Sequence, residues 1–428
     1  MYALSAILMT QSTGEVIFEK DPDTVRYPAS MTKILTVLLG IMLVDDLQQT
    51  VVVSETAVNV PEDSSTMHLK AGEEIRFIDV LYGTMLLSAN DGANVIAETV
   101  SGDIPRFVDL MNQKAASLGC FNTHFVNPHG YHDDNHYSTA RDIAVIAREA
   151  MNDETFRQIS ATTSYTIPRT NKQRARNITT KSEFMLTGSE ENPNKYYYEY
   201  ATGIKTGSHS HSGYCFAGAA MKDGVRLISV VMFTGKRARW ADTIKLMDYG
   251  FSQYECVSFT ELFRKKPLTV ETSNYSTSDM NRGKLELNCT PLDGDLEITG
   301  TKSEIRRRSD MLSSEALIQY TRDFQAPIEA GEQVGTLTYN FDGSSAVFAL
   351  TASRSISQRE NVPKTIEQII AETYADPNPF PPFTPEFVLV LFGPPLLIIG
   401  IVYFLVRHHR KKGARKMRAP RPVNRYVK

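Results

Sequence analysis

The sequence predicts an α+β fold over residues 1–257, followed by a small all-β domain over 258–358 and one C-terminal transmembrane helix. Three observations support this division. Helical and strand patterns alternate over the first 257 residues. From residue 258 onward, short strands alternate with Asp-Gly turns, which is typical of a β domain. The run 387–406 carries no charged residue and is long enough to cross the hydrocarbon core of a bilayer.

The first domain begins with a predicted strand, MYALSAILM, a turn, STGE, and a second strand, VIFEK. The segment YPASMTKILTVLLGIMLVDD is apolar nearly all round after Lys33, which predicts a buried central helix. FVDLMNQKAASLG has apolar residues at helical spacing, and Gly119 is its predicted C-cap. GYCFAGAAM and VRLISVVMF are predicted to form a β-hairpin that turns at Asp223 and Gly224. ADTIKLMDYGF predicts a closing helix.

The second domain is predicted from the strands KLELNC, LEITG, EQVGTLTYNF and SAVFALTA, with turns at Asp293-Gly294 and Asp342-Gly343. Residues 359–386 are a predicted linker. It contains VPKTIEQIIAETYADP, which predicts a short amphipathic helix, followed by the Pro-rich DPNPFPPFTP, a semi-rigid spacer.

The charge distribution predicts how the chain crosses a membrane. The formal net charge is -3, but residues 407–428 hold ten Lys and Arg and no acidic residue, so the rest of the chain is acidic. By the positive-inside rule the tail 407–428 is cytoplasmic and the body is outside the cell, anchored by the single span 387–406. Gly393, Pro394 and Pro395 predict a kink in that span. The alternative is a buried helix of a soluble core.

An external body needs an export signal, and MYALSAILM has neither a basic n-region nor a cleavage site. We therefore expect the natural start of the protein to lie upstream of Met1. An in-frame signal peptide in the gene would confirm this expectation.

The four cysteines are scattered and form no CxxC pair, so the sequence predicts neither a disulfide framework nor a zinc knuckle. They are interpreted as small buried hydrophobic residues. They are Cys120, Cys215, Cys256 and Cys289.

The motif Ser30-Met31-Thr32-Lys33 stands at the start of the predicted central helix. Helical residues i and i+3 lie on one face, so the serine hydroxyl and the lysine amine can share a hydrogen bond. A lysine that is desolvated and close to another cation loses its proton more easily, and it can then act as a base for Ser30. The alternative is a helix cap beside a solvated lysine.

Two further motifs follow in order. Ser88-Ala89-Asn90 offers a hydroxyl that can pass a proton and an amide that can position a lysine or a substrate. Lys205-Thr206-Gly207 opens the predicted hairpin and supplies a second cation, a hydroxyl, and a glycine that admits a substrate close to the strand edge. S-x-x-K and S-x-N each occur about once by chance in such a chain, and K-T-G in about one chain in ten. The three together, in this order, are specific.

With these motifs the sequence resembles the low-molecular-weight penicillin-binding proteins, the serine-type D-alanyl-D-alanine carboxypeptidases. The resemblance covers roughly residues 3–358. It implies a penicillin-binding transpeptidase-like or β-lactamase-like fold, in which helices flank an antiparallel sheet. The blocks that carry it are PASMTKILT, LLSANDGANVIAE, FVDLMNQKAASLG, NTHFVNPHGYHDDNHYSTARDIA, GIKTGSHSHSGYCFAGAA and, in the β domain, APIEAGEQVGTL.

The resemblance implies removal of the terminal D-alanine from peptidoglycan stem pentapeptides outside a bacterial cell. Ser30 attacks the carbonyl of the penultimate D-alanine, and Lys33 takes its proton. Ser88 relays a proton towards the leaving D-alanine. The backbone N–H groups of Ser30 and Ser208 form the oxyanion hole.

The same resemblance assigns substrate binding to the remaining motif residues. Asn90 holds the active-site lysine and the substrate, and Lys205 with Thr206 binds the terminal carboxylate beside Gly207. Peptidoglycan stem peptides are then the substrate, β-lactams are covalent inhibitors and no cofactor is needed. Membrane lipid is a partner through the span, and the basic tail is interpreted as a topology signal, not as a nucleic-acid site.

Some residues depart from the family pattern. His209 stands where the family often has threonine, which leaves carboxylate recognition open, and either Arg176 or Arg239 could assist it. The alanine of the second motif, where β-lactamases usually carry aspartate, favours a peptidase. A β-lactamase with fast deacylation, or a non-enzymatic penicillin sensor, is the alternative function.

The histidines predict no metal site. In HGYHDDNH the spacing of His129, His132 and His136 is not a standard zinc pattern. His209 and His211 are predicted to be polar lining at the rim of the active site.

Overall fold

The computed structural model describes residues 1–341, 343–360, 366 and 395–408. Residues 1–358 form one compact unit, and the described residues from 359 onward belong to a second. The first unit contains two larger sheets and three hydrophobic core clusters.

An antiparallel five-stranded sheet, in the order β2-β1-β9-β8-β7, organises the first 257 residues. Its outer strand β7 leaves one edge free of strand pairing among the described residues. The five strands are β1 (Ser5–Thr10), β2 (Val16–Lys20), β7 (Ala201–His209), β8 (Gly213–Lys222) and β9 (Val225–Thr234). The short strands of two further ladders are β3 (Thr50–Val52), β4 (Glu74–Arg76), β5 (Ser164–Ile167) and β6 (Arg176–Thr179).

Helices cover both faces of this sheet. Successive residues of a strand point to opposite faces. Ile7 of β1 therefore lies in the core beneath α1 and α6, whereas Leu8 lies in the core beneath α8. Burial on both faces explains why β1, β8 and β9 are largely apolar in the sequence. The helices are α1 (Lys33–Leu43), α2 (Glu55–Val58), α3 (Phe77–Leu86), α4 (Asn90–Ser101), α5 (Ile104–Ser117), α6 (Ala140–Asn152), α7 (Glu154–Ala161) and α8 (Ala238–Gln253).

The central helix α1 is buried over Lys33–Gly40, as its apolar sequence predicts. Gly40 permits α1 to approach α4 closely, since a Cβ there would lie 2.9 Å from a methyl carbon of Ile96. The N-terminal hairpin, the helix that ends before Gly119 and the hairpin that turns at Asp223-Gly224 are also confirmed.

Residues beyond 257 carry a second antiparallel sheet, in the order β11-β12-β16-β15-β14, with its own core. Its strands are β11 (Thr269–Glu271), β12 (Lys284–Pro291), β14 (Leu317–Tyr320), β15 (Gln333–Phe341) and β16 (Ser344–Ala352). A separate pair joins β10 (Tyr254–Ser258) to β13 (Glu297–Thr301).

The prediction that this region is all-β is wrong. It also contains α9 (Phe259–Lys265) and α10 (Lys302–Glu315). Thr301 and Glu304 form a complete capping box at the start of α10. The sequence TKSE carries that signal, but only Ile305 and Leu312 of the helix are buried hydrophobic residues, so the periodicity is weak.

The domain boundary at residues 257 and 258 remains a prediction. The region beyond it has its own core, but the pairing of β10 with β13 ties Tyr254–Ser258 to Glu297–Thr301 across it.

The second unit is described at residues 359, 360 and 366 and by a helix over 395–408, whose side chains are exposed. Among the described residues, no helix is both long enough and apolar enough to cross a membrane. Most of the predicted linker 359–386, the first part of the predicted span 387–406 and nearly all of the basic tail lie outside the described residues.

Candidate active site

Ser30 lies in a single 3₁₀ turn, Ala29–Thr32, that leads directly into α1. The turn begins with Ala29 at a positive φ of 49°. Ser30 is half-buried, whereas Lys33, the first residue of α1, is fully buried. The three-residue spacing brings Lys33 Nζ to 3.3 Å from Ser30 Oγ, as the motif predicts.

Two carbonyl oxygens hold the Lys33 amine. Nζ donates to Asn90 Oδ1 at 2.7 Å and to the backbone oxygen of His129 at 2.6 Å. A neutral amine has two N–H bonds and one lone pair. When the two N–H bonds point at the two carbonyl oxygens, the lone pair is left for the hydroxyl proton of Ser30. The hydrogen-bond partners of Lys33 therefore orient it as a base.

The surroundings of Lys33 also favour the neutral amine. Burial holds the pKa of Lys33 well below its usual range, and the nearby positive charges of Lys205 and Lys181 lower it further. The carboxylate of Asp91 acts in the opposite direction but is outweighed.

Ser88-Ala89-Asn90 forms the turn between α3 and α4. Ser88 is buried with a positive φ of 63°, and Asn90 is the first residue of α4. The Asn90 amide acts at both ends, because Oδ1 accepts from Lys33 while Nδ2 donates to Ser64 Oγ at 3.0 Å. The turn thus fixes the position of the lysine.

Lys205, Thr206, Gly207 and Ser208 lie on the edge strand β7, next to the turn that carries Ser30. Lys205 is buried, Thr206 is half-buried and Ser208 is exposed. A Cβ at Gly207 would lie 2.7 Å from the backbone oxygen of Pro28. The sequence assigned this glycine to the approach of a substrate, but the structure shows that it first admits the turn preceding Ser30.

The site is rich in positive charge. Burial, with the charges of Lys181 and Arg239, lowers the pKa of Lys205 to about 7. Arg239 is buried, its guanidinium lies 5.2 Å from the ring centre of Tyr214, and within the described part of the chain it forms no ion pair. Its Nε has no hydrogen-bond partner among the described residues.

The two arginine candidates are thereby distinguished. Arg176 is engaged elsewhere, because it pairs with the buried carboxylate of Glu73 at 2.8 Å. The Nε of each arginine lacks a hydrogen-bond partner among the described residues, but only the charge of Arg239 lowers the pKa of Lys205. Arg239 is therefore the better candidate to meet an anionic group near Lys205.

Sequence reasoning missed Lys181 and the backbone oxygen of His129. Lys181 comes from the loop after β6 and donates to Ser65 Oγ at 2.9 Å. The His129 oxygen is brought in by Gly130, where a Cβ would lie 1.9 Å from the backbone oxygen of Ala29. Neither Lys181 nor the His129 oxygen has a local sequence signal. The glycine of HGYH, Gly130, is the one feature that indicates a close approach between two backbone segments.

The histidines take different positions. His136 is buried beneath the site, where it contacts Thr32 Oγ1 at 2.8 Å, and burial lowers its pKa to about 3. His209 ends β7, His211 lies in the turn that follows, and both rings lie close to that of His132. Their position at the rim of the active site stays a prediction.

A serine hydrogen-bonded to a buried lysine, a polar turn and a cation-bearing edge strand, all set on one antiparallel sheet, define an active-site serine hydrolase of the acyl-transfer type. The chain belongs to the D-alanyl-D-alanine carboxypeptidase family (peptidase S11), whose profile matches residues 1–235.

Relatives and solved structures agree with this family. The chain is 30% identical over 370 residues to the D-alanyl-D-alanine carboxypeptidase DacF of Bacillus subtilis. The alignment covers 85% of this chain and 86% of that protein. It is 29% identical over 355 residues to DacA of Escherichia coli, with 80% of each covered. Penicillin-binding protein 5 of Haemophilus influenzae superposes with a TM-score of 0.53 at 27% identity, which covers 84% of this chain and 98% of that one. The D-alanyl-D-alanine carboxypeptidase DacD of Francisella tularensis superposes with a TM-score of 0.54 at 25% identity. The match covers 84% of this chain and 94% of that one.

Proposed function

We propose that this chain is a serine-type D-Ala-D-Ala carboxypeptidase that removes the terminal D-alanine of peptidoglycan stem pentapeptides through an acyl-enzyme on Ser30. The observation that carries the assignment of roles is the environment of Lys33. The lysine is buried, and its Nζ lies 2.7 and 2.6 Å from two carbonyl oxygens and 3.3 Å from Ser30 Oγ. When a neutral amine donates to both carbonyl oxygens, its lone pair is left for the proton of Ser30.

Acylation starts when Ser30 Oγ attacks the carbonyl carbon of the penultimate D-alanine and its proton moves to Lys33 Nζ. The backbone N–H groups of Ser30 and Ser208 stabilise the negative charge on the carbonyl oxygen. The tetrahedral intermediate then expels the terminal D-alanine, whose amine receives a proton through Ser88. Water activated by Lys33 hydrolyses the ester and restores Ser30.

We propose that the terminal carboxylate of the substrate pairs with the positively charged side chains of the site. Lys205 and Thr206 on β7 bind it, Asn90 helps to hold the substrate, and Arg239 adds positive charge near Lys205. A buried cation without a carboxylate partner is costly, and substrate binding relieves that cost. This gives the site a preference for a free C-terminus.

Family membership does not favour the β-lactamase alternative or a non-enzymatic penicillin sensor. β-Lactams are expected to acylate Ser30 in place of the peptide and to remain bound for long.

The full chain is expected to release D-alanine from a stem pentapeptide and to gain the mass of one penicillin, located on Ser30 by peptide mapping. Ser30→Ala is expected to do neither, because Ser30 provides the one hydroxyl that is hydrogen-bonded to Lys33 among the described residues. D-Alanine is measured by an oxidase-coupled assay and the adduct by intact-mass spectrometry. An adduct that persists in Ser30→Ala refutes the assignment, and rapid penicillin turnover by the native chain would support a β-lactamase.

We further propose that residues 387–406 anchor the chain in the cell membrane, with the tail 407–428 in the cytoplasm and the peptidase outside. The support is the uncharged run followed at once by ten basic residues. The proposed domain over 258–358 and the linker 359–386 then hold the active site away from the lipid surface.

The full chain is expected to stay in the membrane fraction after alkaline carbonate washing, whereas a chain that ends at residue 386 is expected to be released. Removing about twenty apolar residues abolishes the hydrophobic anchoring energy. Both chains are followed by fluorescent penicillin labelling, which also reports that the shortened one is folded. Equal retention of both chains would contradict the anchor.

A further inference from the structure

We propose that His132, His209 and His211 bind one divalent transition-metal ion, Zn²⁺ in the first instance, at the rim of the active site. Imidazole nitrogens are preferred ligands of Zn²⁺, and three of them with an open fourth position form a common zinc site. The proposal is independent of the peptidase function, because it concerns side chains that the proposed reaction does not use.

The three side chains converge from two separate segments. His132 comes from the loop between α5 and α6, His209 is the last residue of β7, and His211 lies in the turn between β7 and β8. One potential ligand atom of each residue lies within 4.8 Å of those of the other two. The rings of His132 and His211 stack with their centres 3.9 Å apart, and His209 lies 5.0 Å from His132.

The required movement is small. With Zn–N bonds of about 2.0–2.1 Å, tetrahedral nitrogens lie about 3.4 Å apart, so separations that are at most 4.8 Å must shorten by no more than about 1.4 Å. His211 is exposed and His209 is half-buried, so side-chain rotation can supply this change. The stacked rings of His132 and His211 separate as their nitrogens turn to a common point.

His132 is already arranged like a metal ligand. Its Nδ1 is buried and has no hydrogen-bond partner among the described residues, a situation that costs free energy. Its Nε2 lies 3.6 Å from a carboxylate oxygen of Asp134. Metal-bound histidines usually direct the second ring nitrogen at a carboxylate. A metal on Nδ1 therefore satisfies the unpartnered atom and uses Asp134 to orient the ring.

Metal binding at His209 is expected to change the backbone next to the active site. Its Nδ1 accepts long hydrogen bonds from the backbone N–H of His211 at 3.1 Å and of Ser212 at 3.3 Å. A metal on Nδ1 displaces both bonds, and a metal on Nε2 places the ring proton on Nδ1, which also breaks them. The turn must then adjust next to Ser208, whose N–H belongs to the proposed oxyanion hole.

The sequence did not predict this grouping. It placed His132 with His129 and His136, and the structure engages both of these elsewhere. His129 Nδ1 accepts from the N–H of Tyr131 at 3.1 Å, and His136 contacts Thr32 Oγ1. The metal-binding partners of His132 lie almost eighty residues away along the chain, where no spacing rule could connect them.

The test is equilibrium binding of Zn²⁺ to the full chain, purified without a polyhistidine tag, stripped with EDTA and titrated against a chromophoric chelator. We expect one Zn²⁺ per chain with micromolar affinity or better, and a loss of about tenfold or more in His132→Ala and in His211→Ala. His68→Asn is the matched control, since His68 is exposed, lies outside the cluster, and has a positive φ of 57° that asparagine tolerates.

Co²⁺ provides a second readout, because it gives a characteristic visible absorption when it occupies a tetrahedral nitrogen site. Covalent penicillin labelling of each variant shows that the fold is intact, so a weaker affinity is not mistaken for unfolding. Binding that is absent at micromolar Zn²⁺, or equally strong in His132→Ala, His211→Ala and the native chain, overturns the proposal.

Discussion

Lys33→Met is expected to react with penicillin about 10³-fold more slowly than the native chain, the loss typical for removal of a general base. Methionine is similar in length and apolar, so it suits a fully buried position. It has no lone pair that could take the proton of Ser30. The observed rate constant of acylation, from stopped-flow fluorescence of a labelled penicillin, measures the effect.

Lys33→Arg separates the role of base from that of hydrogen-bond donor. Arginine can still donate to Asn90 Oδ1 and to the backbone oxygen of His129, but it does not deprotonate in the accessible pH range. We therefore expect a loss of similar size. An arginine variant that acylates at nearly the native rate would falsify the assignment of Lys33 as the base.

Stability must be followed alongside the rate, because the Met variant leaves two carbonyl oxygens without their donor. An unsatisfied buried polar group costs about 1–3 kcal/mol, so a lower melting temperature is expected in Lys33→Met. The variant is informative as long as its circular dichroism stays native at the assay temperature, where the acylation rate then reports chemistry alone.

The fold was predictable where a segment carries its own signal. The apolar run after Lys33 predicts a buried helix, and Asp223-Gly224 predicts the hairpin turn, and the structure confirms both. Helix α10 was missed because it is held by its capping box at Thr301 and Glu304 and by tertiary contacts, while most of its surface is polar. Periodicity detects a buried face, and a helix with only two buried hydrophobic residues hardly has one.

In the active site, too, local features are predictable from the sequence, whereas features that depend on tertiary packing are not. The spacing of Ser30 and Lys33 is local, so the sequence predicts their contact. The contribution of His129 depends on its backbone oxygen and on how closely Gly130 approaches Ala29, and the choice between Arg176 and Arg239 depends on which of them is already paired with Glu73. Such facts arise from packing between distant segments and have no signature in a single sequence.

Two lysines of this site need opposite protonation states. Lys33 must be neutral to accept the proton of Ser30, whereas Lys205 must be charged to attract the carboxylate of the substrate. The structure lowers the pKa of both by burial. The charges of Lys205 and Lys181 lower the pKa of Lys33 further, and those of Lys181 and Arg239 lower the pKa of Lys205. The proposed reaction therefore needs a pH at which Lys33 has lost its proton and Lys205 has kept its own.

The value of kcat/KM for D-alanine release is therefore expected to fall on the alkaline side with a pKa of about 7, the value that burial and the charges of Lys181 and Arg239 give to Lys205. Lysine is charged below its pKa and neutral above it, so each further pH unit removes more of the charged form. We expect a decrease of about 10- to 100-fold between pH 7 and 9.

Two controls assign the alkaline limb to Lys205. A substrate that is an ester without a terminal carboxylate does not need the cation, so its kcat/KM is expected to stay level over the same range. In Lys205→Arg the cation stays charged, since the pKa of arginine is above 12, and the decrease with the peptide substrate is expected to disappear. The alkaline decrease in kcat/KM could persist with the carboxylate-free ester or be unchanged in Lys205→Arg. Either result would show that another group titrates and that Lys205 is not the cation that binds the free C-terminus.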